Sequence, residues 1–285
     1  MPFPQYRPFA ADANDANMGD VKTALVLSAG GMFGAYQAGV WQALSPVFRP
    51  DIVIGCSVGS INGWAIAGGI SGDELARTWL DPRCAELMRP HARRRPWQTF
   101  FDPQPLQRMI QEMASNYTPR VPFALTLTEL PRLRLRIFQT PEVTWQHILA
   151  SCAVPLGYPA VRIGGQSYCD GGLLSVLPVW AAASLDADCA IAVNVLPNKP
   201  LTALRAGVRM VRLLAPREPQ SAGIEVLRIV PEPPLGRLHD AINWSPETVR
   251  RWIARGQADA QALIDSRHDS RHDGPALTAM LGRFV

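Results

Sequence analysis

The chain contains few lysines and few charged residues, and its cysteines are not arranged as disulfide partners or metal ligands. Only Lys22 and Lys199 are lysine among its 28 basic residues. Charged residues make up 18% of the 285 residues, which is too few for a disordered chain. The five cysteines are odd in number and lack metal-ligand spacing. Their pattern is not that of a disulfide-stapled secreted scaffold and indicates a reducing compartment.

Sequence signals for secretion and membrane insertion are also missing. Residues 1–21 lack a basic segment followed by an apolar core, so we expect a loose leader and no signal peptide. No run of about 20 residues is free of polar interruption, so we expect no transmembrane segment and a cytoplasmic location. The hydrophobic fraction of 47% suits one large core. We assign a single domain to residues 22–264, and a polar linker and C-terminal tail to 265–285.

The positive charge is concentrated in one segment. Between Arg77 and Arg136 there are eleven arginines and five acids, a net charge of +6 in a chain whose total is +4. Arg93, Arg94 and Arg95 stand near its centre and are followed closely by aromatic residues. Such a pattern suits peripheral contact with an anionic membrane on its inner face, and a solvated loop is the competing interpretation. No nucleic-acid-binding signature accompanies it, so nucleic acid is not an expected partner.

Apolar runs and helical periodicity alternate along the chain, which predicts an α/β sheet with helices on both faces. Strands are predicted at 23–27, 51–55, 121–127, 133–138, 189–195 and 226–230, with a hairpin at 160–163 and 167–169. Helices are predicted at 32–44, 106–113, 144–151, 179–183 and 247–264. The remainder of 81–120 is rich in proline and arginine and is expected to be irregular.

The sharpest motif is Gly55-Cys56-Ser57-Val58-Gly59, which lies between a predicted strand and a small-residue apolar segment. A serine on a tight strand-to-helix turn needs small neighbours, here Gly55 and Gly59, so that the backbone folds sharply and exposes the hydroxyl. A helix beginning just past Ser57 would also direct its free amides toward developing negative charge. The pattern predicts a nucleophilic Ser57, and a plain tight turn is the alternative.

A second glycine-rich loop, Gly30-Gly31-Met32-Phe33-Gly34, also lies between a strand and a helix. Backbone amides at such a place can bind an anion. In one interpretation they form the oxyanion hole of an acyl-transfer enzyme. In the other they bind a dinucleotide. That motif would put its first glycine at Ala29, and its acid, Asp51, begins a strand instead of ending one.

Asp170 precedes Gly171 and Gly172 and by itself is typical of a turn aspartate. A nucleophilic serine needs a base, however, and none of the five histidines has an obvious catalytic context. His239 and the histidines beyond it leave open the serine–acid–histidine order of an α/β-hydrolase. In that fold the nucleophile usually follows several strands, whereas here it follows the second.

The three loops, in this order, resemble the bacterial patatin-like phospholipases over about 23–264. The glycine block is LVLSAGGMFGAYQAG at 25–39, the nucleophile block is GCSVG at 55–59, and the aspartate block combines ASCAVP at 150–155 with YCDGGL at 168–173. The resemblance implies a three-layer α/β/α fold with a central, mostly parallel sheet. It also implies activity on acyl esters of lipids.

The resemblance further implies a serine–aspartate dyad, with Ser57 as the nucleophile and Asp170 as the base. Backbone amides around Gly30, Gly31 and Gly34 would bind the oxyanion, and the chemistry would need no metal or cofactor. An α/β-hydrolase esterase with a triad and a catalytically weak lipid-binding protein are the alternatives. Acyl-chain length, headgroup and oligomeric state are not indicated.

Two positions depart from the family pattern. Ala29 stands where a third glycine is common, and Phe33 stands where arginine or lysine is common. The missing cation motivates the lipid-binding alternative, because a phosphate would lose a partner near the anion site. For Cys56 and Cys169, each beside a proposed catalytic residue, we favour a packing role. Four apolar residues after the nucleophile are candidates for the core or for an acyl pocket: Val58, Ile61, Trp64 and Ile66.

Overall fold

The structure is a computed structural model that describes residues 21–91, 98–196, 219, 221, 223–266 and 275–282. Most of the expected leader, the arginines Arg93, Arg94 and Arg95, and the histidines His268 and His272 lie outside these residues. In the described part of the chain, no helix is both long enough and apolar enough to cross a membrane.

One sheet holds all the strands that the described residues form. The strands are β1 (Thr23–Leu27), β2 (Ile52–Gly55), β3 (Phe123–Leu130), β4 (Arg134–Gln139), β5 (Val161–Ile163), β6 (Gln166–Asp170), β7 (Cys189–Val193) and β8 (Glu225–Ile229). Neighbouring strands in the order β3, β2, β1, β7, β8 pair in parallel. At the β3 end, β4, β5 and β6 add antiparallel pairings.

Helices connect and cover these strands. They are α1 (Gly34–Leu44), α2 (Val58–Ala67), α3 (Gly72–Trp79), α4 (Pro103–Asn116), α5 (Trp145–Ser151), α6 (Val179–Ser184), α7 (Pro246–Ser266) and α8 (Pro275–Gly282). Short 3₁₀ turns lie at Gly31–Phe33, Pro82–Glu86, Gly171–Leu173 and Leu238–Ile242.

The parallel strands are buried on both faces. In β1, Leu25 and Leu27 belong to a large apolar cluster with α1 and α7, whereas Ala24 and Val26 belong to a smaller cluster with Trp180 of α6. Successive side chains of a strand point to opposite faces, so helices cover both sides of the sheet. The expected α/β fold with a mostly parallel sheet flanked by helices is confirmed.

Two helices have no counterpart in the sequence prediction. Before α3, the Ser71 side chain accepts a hydrogen bond from the Glu74 amide at 3.2 Å. The spacing of Ser71 and Glu74 is a helix-capping pattern that can be recognised in the sequence. Helix α8 lies where a polar tail was expected. Its Leu277 and Met280 are buried in the large cluster, and the Leu277 amide donates to the Glu225 carboxylate at 2.7 Å.

The register of β1 and β2 brings the two glycine-containing loops together. Leu27 pairs with Gly55, so the strands end level with each other. Because they are parallel, the loops that follow them leave the same edge of the sheet. The Cys56 amide donates to the Leu27 carbonyl at 3.0 Å and joins the two loops directly.

Strand β3 presents one edge to two strands in succession. Leu125 pairs with Gly55 of β2, and Leu127 pairs with Asp170 of β6. Strand β4 pairs with both of these β3 residues and therefore occupies the other edge. Since β6 runs antiparallel to β3, its last residue points back toward the last residue of β2. The ends of β2 and β6 therefore lie next to each other, and they carry the two motifs that the sequence indicated for catalysis.

Candidate active site

Ser57 occupies the sharp turn between β2 and α2. Its backbone has φ 54° and ψ −126°, a conformation that residues with a side chain rarely adopt. Such a conformation costs about 1–3 kcal/mol and persists only where the surroundings enforce it. A Cβ at Gly55 would lie 2.3 Å from the Gly59 carbonyl oxygen, and one at Gly59 would lie 2.4 Å from the Leu27 oxygen. Both glycines are therefore required for the turn to close.

Ser151, the last residue of α5, stabilises the turn at Ser57. The Ser57 amide donates to Ser151 Oγ at 2.9 Å, and the Ser151 hydroxyl donates to the Thr126 carbonyl at 3.2 Å. Ser60 Oγ lies 2.8 Å from the same oxygen. Because the Ser151 proton is directed to Thr126, Ser60 is the donor to Ser151. Ser151 stood in the aspartate block of the sequence, but nothing there indicated that it binds the nucleophile's amide.

The Asp170 carboxylate is buried against the nucleophile. It accepts hydrogen bonds from the Gly172 amide at 2.7 Å and from the Cys56 thiol, whose Sγ lies 3.8 Å away, and the Ser57 side chain lies near enough to favour its charged form. Burial raises the pKa of Asp170 to about 6, and Ser57, Gly172 and Cys56 oppose a larger rise because they favour the charged form. The group is thus largely ionised at neutral pH and can accept a proton.

The two cysteines that adjoin Ser57 and Asp170 in the sequence differ in what they contact. Burial, with a smaller effect of Asp170, raises the pKa of the Cys56 thiol well above its usual value, so it remains a hydrogen-bond donor. Cys56 therefore does more than pack. Burial also raises the pKa of Cys169, to about 12. Among the described contacts of the Asp170 carboxylate there is none with the Cys169 thiol.

The backbone amides of Gly30 and Gly31 face no carbonyl acceptor within the described residues. Gly31 has a positive φ of 57°, opens a 3₁₀ turn and lines the cavity beside Ser57. The Gly34 amide differs, because it donates to the carbonyls of Gly31 and Met32. A Cβ at Gly34 would lie 2.4 Å from the Val58 side chain, so this glycine allows α1 to approach α2.

The two departures from the family pattern have structural explanations. Phe33 is fully buried, with its ring centroid 5.0 Å from that of Trp252 in an edge-to-face arrangement, and it does not line the cavity. The position therefore serves the core in this protein. The Ala29 methyl group lies 3.0 Å from where a Cβ of Gly172 would stand, so it packs against the aspartate loop.

A chain of buried hydrogen bonds fixes the glycine loop to three helices. Gln37 Nε2 donates to the Ser28 carbonyl at 2.8 Å, and Asn62 Nδ2 donates to Gln37 Oε1 at 2.9 Å. Trp79 Nε1 donates in turn to Asn62 Oδ1 at 3.0 Å. A buried polar network satisfied in this way rigidifies its surroundings. No sequence motif indicates this network, because its members lie on separate helices.

A cavity of about 300 Å³ lies beside Ser57, at the lower end of the range for ligand pockets. One face of α2 lines it at helical spacing, and α4 supplies methionines opposite. The lining includes Ser57, Val58, Ile61, Ala65, Met109, Met113, Cys152 and Val154. Asp170 is buried and is not among the lining residues.

Of the four apolar residues considered as lining, Val58 and Ile61 border the cavity. Trp64 instead packs edge-to-face on Phe123, and its Nε1 donates to the Tyr117 carbonyl at 2.7 Å. Ile66 belongs to the apolar core. Helical spacing explains the division, because Val58, Ile61 and Ala65 lie on one face of α2, whereas Trp64 and Ile66 lie on either side of that face.

The histidines within the described ranges do not meet Ser57. His239 is exposed and its Nε2 lies 2.8 Å from Asp240. His147 is buried, its Nδ1 accepts the Thr144 amide at 3.1 Å, and burial lowers its pKa. The third, His91, donates its amide to the Phe100 carbonyl, and none of the three lines the cavity. The described part of the chain therefore supplies no histidine for a triad.

Comparison with known proteins agrees with this geometry. A model of the family described as "Patatin-like phospholipase" matches residues 25–183. No curated protein matches the chain. The fold is similar to that of VipD from Legionella pneumophila, with a TM-score of 0.54 and 14% identity over 87% of this chain and 67% of VipD. The type III effector protein ExoU, at 13% identity and a TM-score of 0.40 over 85% of this chain and 52% of ExoU, is too distant to bear on the fold.

The family match extends over more than half of the chain. It includes the glycine loop, the turn that carries Ser57 and the strand end that carries Asp170. The chain therefore belongs to the patatin-like phospholipase family.

Proposed function

We propose that this protein is a lipid acyl hydrolase in which Ser57 is the nucleophile and Asp170 the general base. The observation that carries the proposal is the position of the Ser57 side chain beside a buried carboxylate, that of Asp170, whose pKa is raised to about 6. The apolar cavity beside Ser57 supports a substrate with an acyl chain. Membership of a family of lipid hydrolases supports the same substrate class.

In the first half of the reaction, Ser57 Oγ attacks the ester carbonyl carbon while its proton passes to Asp170. The tetrahedral intermediate collapses, the bond to the leaving alcohol breaks, and that alcohol takes the proton from Asp170. An acyl-enzyme on Ser57 remains. In the second half, water attacks the acyl carbon, Asp170 accepts the water proton, and Ser57 leaves with that proton as the carboxylic acid forms.

The oxyanion of each tetrahedral intermediate would be stabilised by the amides of Gly30 and Gly31. Neither amide has a carbonyl acceptor within the described residues, and Gly31 borders the cavity. Removing one donor of this kind typically costs about 3 kcal/mol of barrier. We assign Gly34 the role of close packing between α1 and α2, because its own amide is already bonded.

The acyl chain would lie along the face of α2 that carries Ile61 and Ala65, toward Met109 and Met113 of α4. Methionine side chains adapt to ligands of varied shape, which suits a fatty acyl chain. This arrangement supports phospholipase A, lysophospholipase or simple esterase activity. The three differ in the leaving group, which would lie on the opposite side of Ser57.

The test is hydrolysis of a soluble short-chain ester and of a long-chain phospholipid, together with labelling by a fluorophosphonate probe. Ser57→Ala and Asp170→Asn should each lose about 10³-fold or more in activity, and Ser57→Ala should abolish labelling. Ser115→Ala is the matched control, because Ser115 is exposed on α4 and its hydroxyl bonds the Gln111 carbonyl. The dyad is wrong if both site variants retain full activity.

The same experiment separates the alternatives. Loss of activity in His239→Ala with survival in Asp170→Asn would support a triad, although His239 bonds Asp240 and not the site. Absence of both activity and labelling in the wild-type protein would support a lipid-binding role without catalysis.

We also propose that Arg93, Arg94 and Arg95 contact anionic lipid at the inner face of a membrane. The net charge of +6 between Arg77 and Arg136 supports this contact. Binding through arginines alone should weaken steeply with added salt, because screening shortens the reach of surface charges.

A further inference from the structure

Four large apolar side chains are substantially exposed among the described residues: Phe100, Val154, Leu156 and Ile242. Three of them come from two neighbouring segments of chain. The Phe100 amide donates to the Leu156 carbonyl at 2.8 Å, and the Phe101 amide donates to the Gly157 carbonyl at 2.9 Å. Phe100, Val154 and Leu156 are called the apolar patch below.

The residues beneath the patch are buried and packed against one another. Phe101 is buried, its ring centroid lies 4.9 Å from that of Phe100 in an edge-to-face arrangement, and it also lies 5.4 Å from the Tyr158 ring. The Tyr158 hydroxyl donates to the Leu87 carbonyl. The segment around Leu156 is therefore held in place by its neighbours while its own side chain points outward.

Leu156 is the least expected residue of the patch. Its side chain is 87% exposed, and its backbone has a positive φ of 69°. A leucine gains nothing from exposure to water, and a left-handed backbone is unfavourable for it compared with glycine or asparagine. Neither local conformation nor packing in the described structure accounts for a leucine here. A surface that leaves water on binding does account for it.

The patch borders the active-site cavity. Val154 is 42% exposed and also lines the cavity, together with Ser57, Cys152 and Tyr158. An apolar ligand that meets the patch is thus already at the entrance to the site. An acyl chain could pass from a lipid phase into the cavity without crossing water.

The charge beside the patch favours an anionic lipid surface over a neutral one. The His91 amide donates to the Phe100 carbonyl at 3.2 Å, so His91 lies next to the patch. The sequence that joins these two residues contains three consecutive arginines and no acid.

We propose that the apolar patch docks on the surface of an anionic membrane and delivers lipid esters to Ser57. The inference rests on the proposed function for its substrate, but the docking itself does not require catalysis. Insertion of Phe100, Val154 and Leu156 among lipid headgroups supplies an apolar contribution that salt does not screen. It thus differs from contact through arginines alone.

Binding is measured by flotation with phosphatidylcholine vesicles and with vesicles that also contain phosphatidylglycerol, in a Ser57→Ala background so that no lipid is consumed. The variants are Leu156→Asn, Phe100→Ser and their combination. Asparagine tolerates a positive φ, so it removes the side chain and leaves the backbone unstrained. Leu133→Asn is the matched control, because Leu133 also has a positive φ, of 50°, and lies in the turn between β3 and β4.

We expect the double variant to bind anionic vesicles about tenfold or more weakly, including at high salt, and Leu133→Asn to bind like the parent. Unchanged binding of the double variant would overturn the proposal. So would a patch-dependent dimer in gel filtration with unchanged vesicle binding, which would make the patch a self-association surface.

Activity assays with Ser57 intact separate this inference from the proposed function. The double variant should lower the ratio of vesicle-lipid to soluble-ester hydrolysis by the same factor as binding. If the wild-type protein hydrolyses neither substrate but still floats with vesicles through the patch, the proposed function fails and the docking surface stands. If the ratio and the binding are both unchanged in an active enzyme, the docking surface fails and the function stands.

Discussion

Gly55 and Asp170 end two strands that meet end to end along one edge of β3. Gly55 lies opposite Leu125, and Asp170 lies opposite Leu127. The turn that follows Gly55 carries Ser57, so the Ser57 side chain lies next to the carboxylate at the end of the other strand. Strand β3 therefore aligns the two strand ends at the site, although it supplies no reactive side chain itself.

The first prediction concerns pH. Because Asp170 must be ionised to accept a proton and its pKa is raised to about 6, kcat/KM should rise with pH through about 6. Cys56→Ala removes a thiol donor that favours the ionised form, so this limb should move to higher pH. Cys169→Ala is the control, because Cys169 gives the carboxylate no hydrogen bond. Superimposable profiles for Cys56→Ala and the wild-type protein would remove Cys56 from the site.

The second prediction is that Asp170→Asn stabilises the fold. The pKa of Asp170 is raised from about 3.8 to about 6 on folding, so the folded state binds more protons between those values and stability falls as pH rises through them. At pH 7 the variant should gain up to roughly 3 kcal/mol in the free energy of unfolding, and below pH 4 the gain should vanish. Urea denaturation over a pH series measures both.

Asp81→Asn provides the control of opposite sign. Hydrogen bonds from Arg83 lower the pKa of Asp81, so its ionised form favours the folded state and its replacement should slightly reduce stability at pH 7. Equal responses of the two variants would show that the gain at Asp170 does not come from its buried charge.

The third prediction concerns backbone strain at the nucleophile. Ser57→Gly should be more stable than Ser57→Ala by about 1 kcal/mol, because glycine tolerates φ 54° and alanine does not. Both variants should be inactive. At Ser60, within α2, the order should reverse by about 1 kcal/mol, because the backbone there is helical. Chemical denaturation of the four variants checks the crossover, and the same order at both positions would contradict the strain.

The fourth prediction concerns the acyl pocket. Ala65 lines the cavity from α2, so Ala65→Leu should shorten the space available to an acyl chain. The ratio of kcat/KM for long-chain to short-chain esters should fall about tenfold, as expected when one or two methylenes lose their place. Ala114→Leu, on α4 but outside the cavity lining, should leave the ratio unchanged. An unaltered ratio in Ala65→Leu would place the acyl chain elsewhere.

The sequence was most informative where a function resides in contiguous residues. The turn around Ser57 and the glycine loop at Gly31 were recognisable because each needs small residues at fixed spacing between a strand and a helix. The predicted strand and helix positions were also close to those observed, because hydrophobic periodicity is likewise a property of contiguous residues. The helices α3 and α8 were not predicted, since each is only eight residues long and presents a short apolar face.

Other features of the site were beyond reach of the sequence. The contact of Ser151 with the Ser57 amide, and that of Asn62 with Gln37 and Trp79, join residues from separate elements. The burial of Phe33 against Trp252 likewise depends on how α7 crosses the start of α1. Until the packing is known, a phenylalanine in a glycine loop could equally face a ligand.

By itself the sequence determined the fold class, the family and the identity of the candidate nucleophile, because local backbone geometry and short-range patterning specify all three. Only the tertiary structure decided that Asp170 meets Ser57, that its pKa is raised to about 6, and that an apolar cavity and an exposed patch lie together at the entrance. The reason is physical. Burial, hydrogen bonding across strands and the pairing of two strands with one edge of β3 are properties of residues brought together by folding, and no single stretch of sequence contains them.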